Sequence, residues 1–284
     1  MWNPTAHRVA SVSLACIFST QSSLGSLAQA TTATRFQQQA PKPLRFPLHR
    51  RSCSNLTKAM AGSQFQYPDP IVYPAPAAHT ATVFFLHGLG DSGDGWSDVA
   101  PQLSSALPHV KFVFPNAPLR PISLNGGMRM PGWYDIYSLD GINRQEDDAG
   151  LQESFRYMEA LIQAEASEGI QSDRIVMGGF SQGGAVACMM LRSDLQLAAV
   201  VGLSTYMPLA TEPPIVSQAN ARTPIFLGHG DADQVVRYEF GKETLEELQA
   251  VNANVEFKTY RGMGHSAVPE ELRDLQQFLQ RAIP

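Results

Sequence analysis

An α/β architecture, with a mostly parallel central sheet and helices on both faces of a single domain, is the fold class this sequence predicts. Three observations predict it. Short apolar runs rich in Val, Ile and Phe recur at 80–86, 111–114, 174–180, 197–203, 224–228 and 254–260, the composition of parallel strands buried on both faces. Amphipathic stretches lie between them, with Leu151, Phe155, Met158 and Ile162 at helical spacing and Leu272, Leu275, Phe278 and Leu279 repeating the pattern near the end. The two kinds of stretch alternate, which is the order that builds such a sheet. Both helical stripes read as core-facing and are assigned no chemistry. At 284 residues, 44% hydrophobic and 17% charged, the chain suits one such domain plus a tail.

A charge boundary separates the tail. Positions 1–68 contain no acidic residue before Asp69 but carry Arg8, Arg35, Lys42, Arg45, Arg50, Arg51 and Lys58. We therefore read residues 1–65 as a disordered N-terminal extension and 66–284 as the folded domain. The seven basic residues of the tail leave 14 of the 21 Lys and Arg to balance 26 Asp and Glu. A domain so acidic argues against nucleic acid or anionic lipid as its docking partner. Cys16 and Cys53 lie in the tail, so Cys188 is alone in the domain and a reducing compartment is expected. The tail, rich in Ser, Ala, Thr, Gln and Arg, has the composition of a plastid or mitochondrial transit peptide. Two alternatives stay open: an internal start at Met60, giving a cytosolic protein, and a secretory signal built on the apolar residues 9–18 with a cleavage site at Ala28-Gln29-Ala30. No run of about 18 apolar residues exists to span a membrane.

The chemistry concentrates around Gly179-Phe180-Ser181-Gln182-Gly183. Gly-x-Ser-x-Gly alone is weak, since about 0.1 chance matches are expected in a chain of this length. Its context is specific: the strand 174–180 precedes it and the apolar segment Ala185-Val186-Ala187-Cys188-Met189-Met190-Leu191 follows as a buried helix. Ser181 therefore occupies a sharp strand-to-helix turn, the nucleophile elbow of an α/β-hydrolase fold. Such a turn projects the hydroxyl above the sheet edge at the positive end of the following helix.

A serine hydroxyl needs a base, and the base needs an orienting acid. Beyond Ser181 only His229 and His265 remain. His265, in Gly262-Met263-Gly264-His265 between the last strand and the last helix, is the expected base, and His229, which closes a strand, is expected to support the site. Of the two acids in His229-Gly230-Asp231-Ala232-Asp233, Asp231 is placed to bond local backbone N–H groups and Asp233 projects onward toward His265. The oxyanion donors are expected at the N–H groups of Leu89, in His87-Gly88-Leu89-Gly90-Asp91, and of Gln182. The spacing of His87, His229, His265, Asp231 and Asp233 matches no usual zinc motif, so no metal is expected.

Five ordered blocks resemble the acyl-protein thioesterase, carboxylesterase and lysophospholipase family. They are Phe84-Phe85-Leu86-His87-Gly88-Leu89-Gly90-Asp91-Ser92-Gly93, Met130-Pro131-Gly132-Trp133-Tyr134-Asp135-Ile136, Gly178-Gly179-Phe180-Ser181-Gln182-Gly183-Gly184, His229-Gly230-Asp231-Ala232-Asp233 and Phe257-Lys258-Thr259-Tyr260-Arg261-Gly262-Met263-Gly264-His265-Ser266. Position by position, the resemblance puts the triad on Ser181, Asp233 and His265 and the oxyanion donors on Leu89 and Gln182. It implies hydrolysis of S-acylated, for example palmitoylated, proteins or of lipid esters through an acyl-enzyme, without a cofactor, and leaves room for a weak homodimer. It further implies an apolar acyl channel beside the elbow, bordered by Leu89, Leu124, Met128, Met130, Trp133 and Val235. One departure is visible: relatives commonly follow the acid with Pro and an apolar residue, whereas this chain has Gln234-Val235-Val236-Arg237.

Overall fold

A computed structural model describes residues 65–139, 145–251 and 253–284. The expectations for transit, internal start and secretion concern the tail and lie outside the described residues. Among the described residues nine strands and six α-helices follow in chain order. Strand β1 (Ile71–Tyr73) enters at an edge, β2 (Ala81–Leu86) crosses the middle of the sheet, and two short helices, α1 (Gly93–Ser97) and α2 (Val99–Ser104), lead to β3 (Val110–Phe114). A hairpin of β4 (Leu119–Ile122) and β5 (Met128–Pro131) forms a separate two-stranded sheet. Next come α3 (Asp148–Ser167), β6 (Ile175–Phe180), α4 (Gln182–Met189), β7 (Ala199–Leu203), β8 (Ile225–Gly230), α5 (Tyr238–Ala250), β9 (Val255–Tyr260) and α6 (Pro269–Ala282).

The main sheet runs β1-β3-β2-β6-β7-β8-β9. Only β1 is antiparallel to its neighbour, and β2, β3, β6, β7, β8 and β9 pair in parallel. Their side chains feed two cores, as the period of two along a strand requires. Phe84, Leu86, Met177, Val200, Ile225 and Leu227 face α3, α4 and Leu248 of α5. Val83, Phe85, Val176, Val201 and Phe226 face α1, α2 and the Leu272, Leu275, Phe278 and Leu279 stripe of α6. Both expected helical stripes are therefore core, and the six expected strands form within two residues of the expected bounds at each end. After β2 the chain turns to β3 on one side, then to β6 on the other, so the strand order reverses between β2 and β6. In open α/β sheets that switch point, at the carboxyl ends of the strands, is where ligands bind. Leu86 of β2 pairs with Gly179 of β6 there, so the loops after both strands emerge side by side. Among the described residues no helix is long and apolar enough to cross a membrane.

One buried group runs against the general pattern. Glu271, in the first turn of α6, is fully buried, and neither of its carboxyl oxygens makes a hydrogen bond of normal geometry among the described residues. Burial, with Asp274 nearby, pushes its pKa up to about 8. The folded chain thus holds a proton that the unfolded chain releases near the ordinary carboxyl value, and this group's contribution to stability falls as pH rises through that window. Glu271→Gln should remove the penalty. Urea unfolding of the variant and parent should show a stability difference that grows by about 2 to 5 kcal/mol between about pH 4.5 and pH 8 and then levels off; a difference independent of pH would refute this account.

Candidate active site

The backbone of Ser181 has φ 54° and ψ −122°, a conformation that side-chain-bearing residues avoid. Three hydrogen bonds hold it. Its N–H donates to the Leu203 carbonyl (2.9 Å), and its own carbonyl accepts from Ala185 N–H (3.0 Å) and from the Thr205 hydroxyl (2.7 Å). Glycine makes the turn possible. A Cβ at Gly179 would strike the backbone of Gly183, and one at Gly183 would strike the carbonyls of Leu86 and His87. Helix α4 is therefore seated directly on the end of β2, which sets Ser181 against the loop that follows β2.

His265 reaches the elbow from the loop between β9 and α6. Its ring packs 4.7 Å, centroid to centroid, from that of Phe180, the residue before Ser181. Nδ1 of His265 donates to Oδ2 of Asp233 at 2.8 Å, which leaves Nε2 as the nitrogen able to take a proton. The Asp233 carboxylate is wholly buried, and its other oxygen accepts from the N–H groups of Val235 (2.9 Å) and Val236 (3.0 Å). Three bonds to one buried carboxylate fix its orientation. Asp231 points elsewhere: it is exposed and accepts from Gly262 N–H (2.6 Å), tying the acid loop to the turn that carries His265. Ala232 N–H adds a second tie, to the Met263 carbonyl (3.1 Å).

His229 lies inside β8, which runs to Gly230, two residues beyond the end expected from the sequence. It is buried, donates from Nε2 to the Val236 carbonyl (2.8 Å) and stands 3.6 Å from Oδ2 of Asp233. Burial lowers its pKa and keeps it neutral. It thus supports the acid loop, as expected.

The loop after β2 runs past the elbow: a Cβ at Gly88 would stand 3.4 Å from Ser181 Cβ. No hydrogen bond among the described residues takes up the N–H of Leu89 or of Gln182. Both therefore lack a protein acceptor among the described residues, and that of Gln182 belongs to the first turn of α4. His87 behind them is neutral, because burial pushes its pKa down to about 4.

The expected channel residues divide. Leu89 and Met130 lie where the loop after β2 meets the hairpin: a Cβ at Gly132 would stand 3.1 Å from both Leu89 Cδ1 and Ile122 Cδ1, and one at Gly90 3.9 Å from Met130 Sδ. Leu124 lies in the turn between β4 and β5, where its N–H donates to the Ile136 carbonyl (2.8 Å). Val235 is half-buried on the acid loop, beside the exposed Gln234. Met128 is 62% exposed at the start of β5. Trp133 departs most from expectation: it is fully buried, and its indole N–H is committed to the His87 carbonyl (2.8 Å). It is core beneath the loop after β2, with no surface to offer an acyl chain. Thr205 was missed by the sequence reading, because a hydroxyl holding a carbonyl 24 residues away leaves no local signal.

A sequence profile of the phospholipase/carboxylesterase family matches residues 68–283. Acyl-protein thioesterase 1 of Neurospora crassa is 47% identical over 225 residues, covering 76% of this chain and 92% of the relative. That of Yarrowia lipolytica is 46% identical over 230 residues, covering 76% and 98%. Among solved structures, acyl-protein thioesterase 2 of Zea mays superposes with a TM-score of 0.69 at 32% identity, covering 77% of this chain and all of that one. SOBER1 of Arabidopsis thaliana gives 0.69 at 30% identity, covering 72% and all of that chain.

The elbow's packing makes a sharp demand on Gly183, whose missing side chain is flanked by main-chain carbonyls that cannot swing aside. Gly183→Ala should therefore lower the unfolding free energy by about 3 kcal/mol or more, beyond ordinary overpacking. Chemical denaturation checks it, and an unchanged midpoint would contradict the close approach of α4 to β2.

Proposed function

This chain belongs to the phospholipase/carboxylesterase family of α/β-hydrolases, and from that premise we propose that it is an acyl-protein thioesterase, releasing long acyl chains from protein cysteines through Ser181, His265 and Asp233. The observation that carries the reading is the 2.8 Å bond from His265 to the buried Asp233, with the imidazole packed against the residue preceding an elbow serine. The thioester preference rests on relatives 45–48% identical that bear the name acyl-protein thioesterase 1.

In this mechanism Ser181 Oγ attacks the thioester carbonyl while His265 Nε2 takes its proton. The charge that develops on the carbonyl oxygen is met by the N–H groups of Leu89 and Gln182. Collapse breaks the carbon–sulfur bond, the proton passes from His265 to the departing thiolate, and the acyl group remains on Ser181. Water, deprotonated by the same nitrogen, then attacks the acyl ester, and Ser181 recovers its proton as the fatty acid leaves. Asp233 keeps Nδ1 protonated and offsets the imidazolium charge. Leu89, Leu124, Met130 and Val235 would flank the acyl chain, with Met128 at its outer end. No step calls for a metal or cofactor. The folded domain's excess of acidic residues fits a protein substrate better than an anionic membrane surface.

The family's description as phospholipase/carboxylesterase supports a second reading, a broad esterase acting on short esters or lysolipids. Turnover of matched C4 and C16 acyl substrates separates the two: a thioesterase should favour C16 thioesters, and a clear preference for C4 oxyesters would favour the broad esterase. Ser181→Ala should abolish both activities and labelling by a fluorophosphonate.

The two acids give a paired test. Asp233→Asn should lower kcat by about 10⁴-fold, because the imidazole loses the partner that fixes its tautomer. Asp231→Asn should keep kcat within about threefold and cost about 1 kcal/mol of stability, as one loop hydrogen bond weakens. Steady-state kinetics and thermal melts read both, and the opposite pattern would move the acid to Asp231.

A further inference from the structure

A closed ring of hydrogen bonds runs through the buried layer beneath the two open N–H groups. It begins at the elbow, where the carboxamide of Gln182, almost fully buried, accepts from Trp133 N–H on Oε1 (2.9 Å) and donates from Nε2 to the Tyr134 carbonyl (2.7 Å). Trp133 passes the connection on, its indole N–H donating to the His87 carbonyl (2.8 Å). His87 accepts from Ala117 N–H on Nε2 (3.1 Å), so Nδ1 carries the proton and donates to the Gly88 carbonyl (2.7 Å). Gly90 N–H closes the ring by donating to the Pro131 carbonyl (2.8 Å), back in the segment that Gln182 grips. Leu89 lies between two tethered residues, Gly88 and Gly90.

We propose that the Gln182 side chain and Trp133 are positioning residues for the oxyanion site, fixing the N–H of Leu89 relative to the N–H of Gln182 by bonding the 131–134 segment to the elbow and to the loop after β2. The proposal rests on the assignment of those two N–H groups as the oxyanion donors.

The chemistry of the ring supports it. An apolar side chain at position 182 would leave the helix and its first N–H intact, so the elbow itself does not need a carboxamide. What the carboxamide adds is direction, since a hydrogen bond fails within a few tenths of an ångström and a few tens of degrees, whereas apolar contact tolerates sliding. A buried carboxamide is also costly unless both its ends are bonded, and here both are, to adjacent residues of one segment. Gly132 in that segment is wedged between Leu89 and Ile122, so a shift of the segment would be passed to Leu89 by contact as well. A misplacement of about 1 Å costs roughly 100-fold in rate.

The test uses the full chain and two variants, Gln182→Glu and Trp133→Phe, with Ser181→Ala as control. Gln182→Glu keeps the shape but, when ionised, sets an acceptor against the Tyr134 carbonyl. At about pH 8 both variants should lose roughly 10- to 100-fold in kcat on a soluble acyl ester, with KM within about twofold. An alkyl trifluoromethyl ketone, whose adduct with Ser181 carries the oxyanion, should bind weaker by a similar factor. For Gln182→Glu the ratio of its kcat to the parent's should climb back toward one as pH falls and the buried carboxyl regains the proton it can donate to Tyr134. Trp133→Phe decides the matter if Gln182→Glu does not fold, which melting curves will show. The proposal is overturned if folded variants keep kcat within about twofold, if the loss lies in KM alone, or if the Gln182→Glu ratio stays flat with pH. Activity surviving in Ser181→Ala would instead overturn the nucleophile assignment, so the two failures are distinguishable.

Discussion

The structure turns on a backbone that should not be stable by itself. Ser181 occupies φ 54° and ψ −122°, and a residue held in so sparse a region costs about 1 to 3 kcal/mol. The cost is offset by neighbours that allow no other path: the Leu203 carbonyl above, the Thr205 hydroxyl and Ala185 N–H on its carbonyl, and glycines at 179 and 183 that let α4 press onto β2. The parallel sheet supplies the anvil. With β2 and β7 fixed on either side of β6, the turn has one direction in which to project a hydroxyl.

The other parts of the site are each carried to that point by a separate strand end. The loop after β2 brings the N–H of Leu89, the end of β8 brings Asp233, and the turn after β9 brings His265. Because these strands lie in one register, the loops need only short ties to one another. Asp231 to Gly262, Ala232 to Met263 and Gly90 to Pro131 are such ties. Two further histidines serve the same end. His87 and His229 are both buried with lowered pKa values, so each acts as a neutral, directional hydrogen-bonding group behind the loop it supports.

Much of this was legible in the sequence, and what escaped shows why. Five of the six expected strands announced themselves because strands buried on both faces are apolar almost throughout; β9, at the sheet edge, instead alternates Val255 and Phe257 with Glu256 and Lys258. The strand-to-helix turn at Ser181 and the meeting of His265 with Asp233 were readable because chain order and spacing mirror strand order. Strand β1 was hidden among prolines, being three residues long at an edge. The β4–β5 hairpin carries Pro121 and exposes about half of its residues, although Asn125-Gly126-Gly127 was a turn signal in plain view. Helix α5 buries only Phe240, Gly241, Thr244 and Leu248, too thin a stripe to stand out. Trp133 was misread as a channel wall because its burial and its bond to His87, 46 residues away, are tertiary facts. The Gln182 side chain had no local signature at all, since its partners lie 48 and 49 residues back.

The central claim is that Ser181 accepts the acyl group. The most direct measurement is to mix the full chain with an S-palmitoylated peptide, quench in acid on the timescale of a turnover, and locate the acyl group by peptide mass spectrometry. The account predicts one palmitoyl ester, on the peptide bearing Ser181, appearing as thiol is released. Thioester hydrolysis with no acyl group on Ser181, or with the acyl group on another residue such as Cys188, would contradict it.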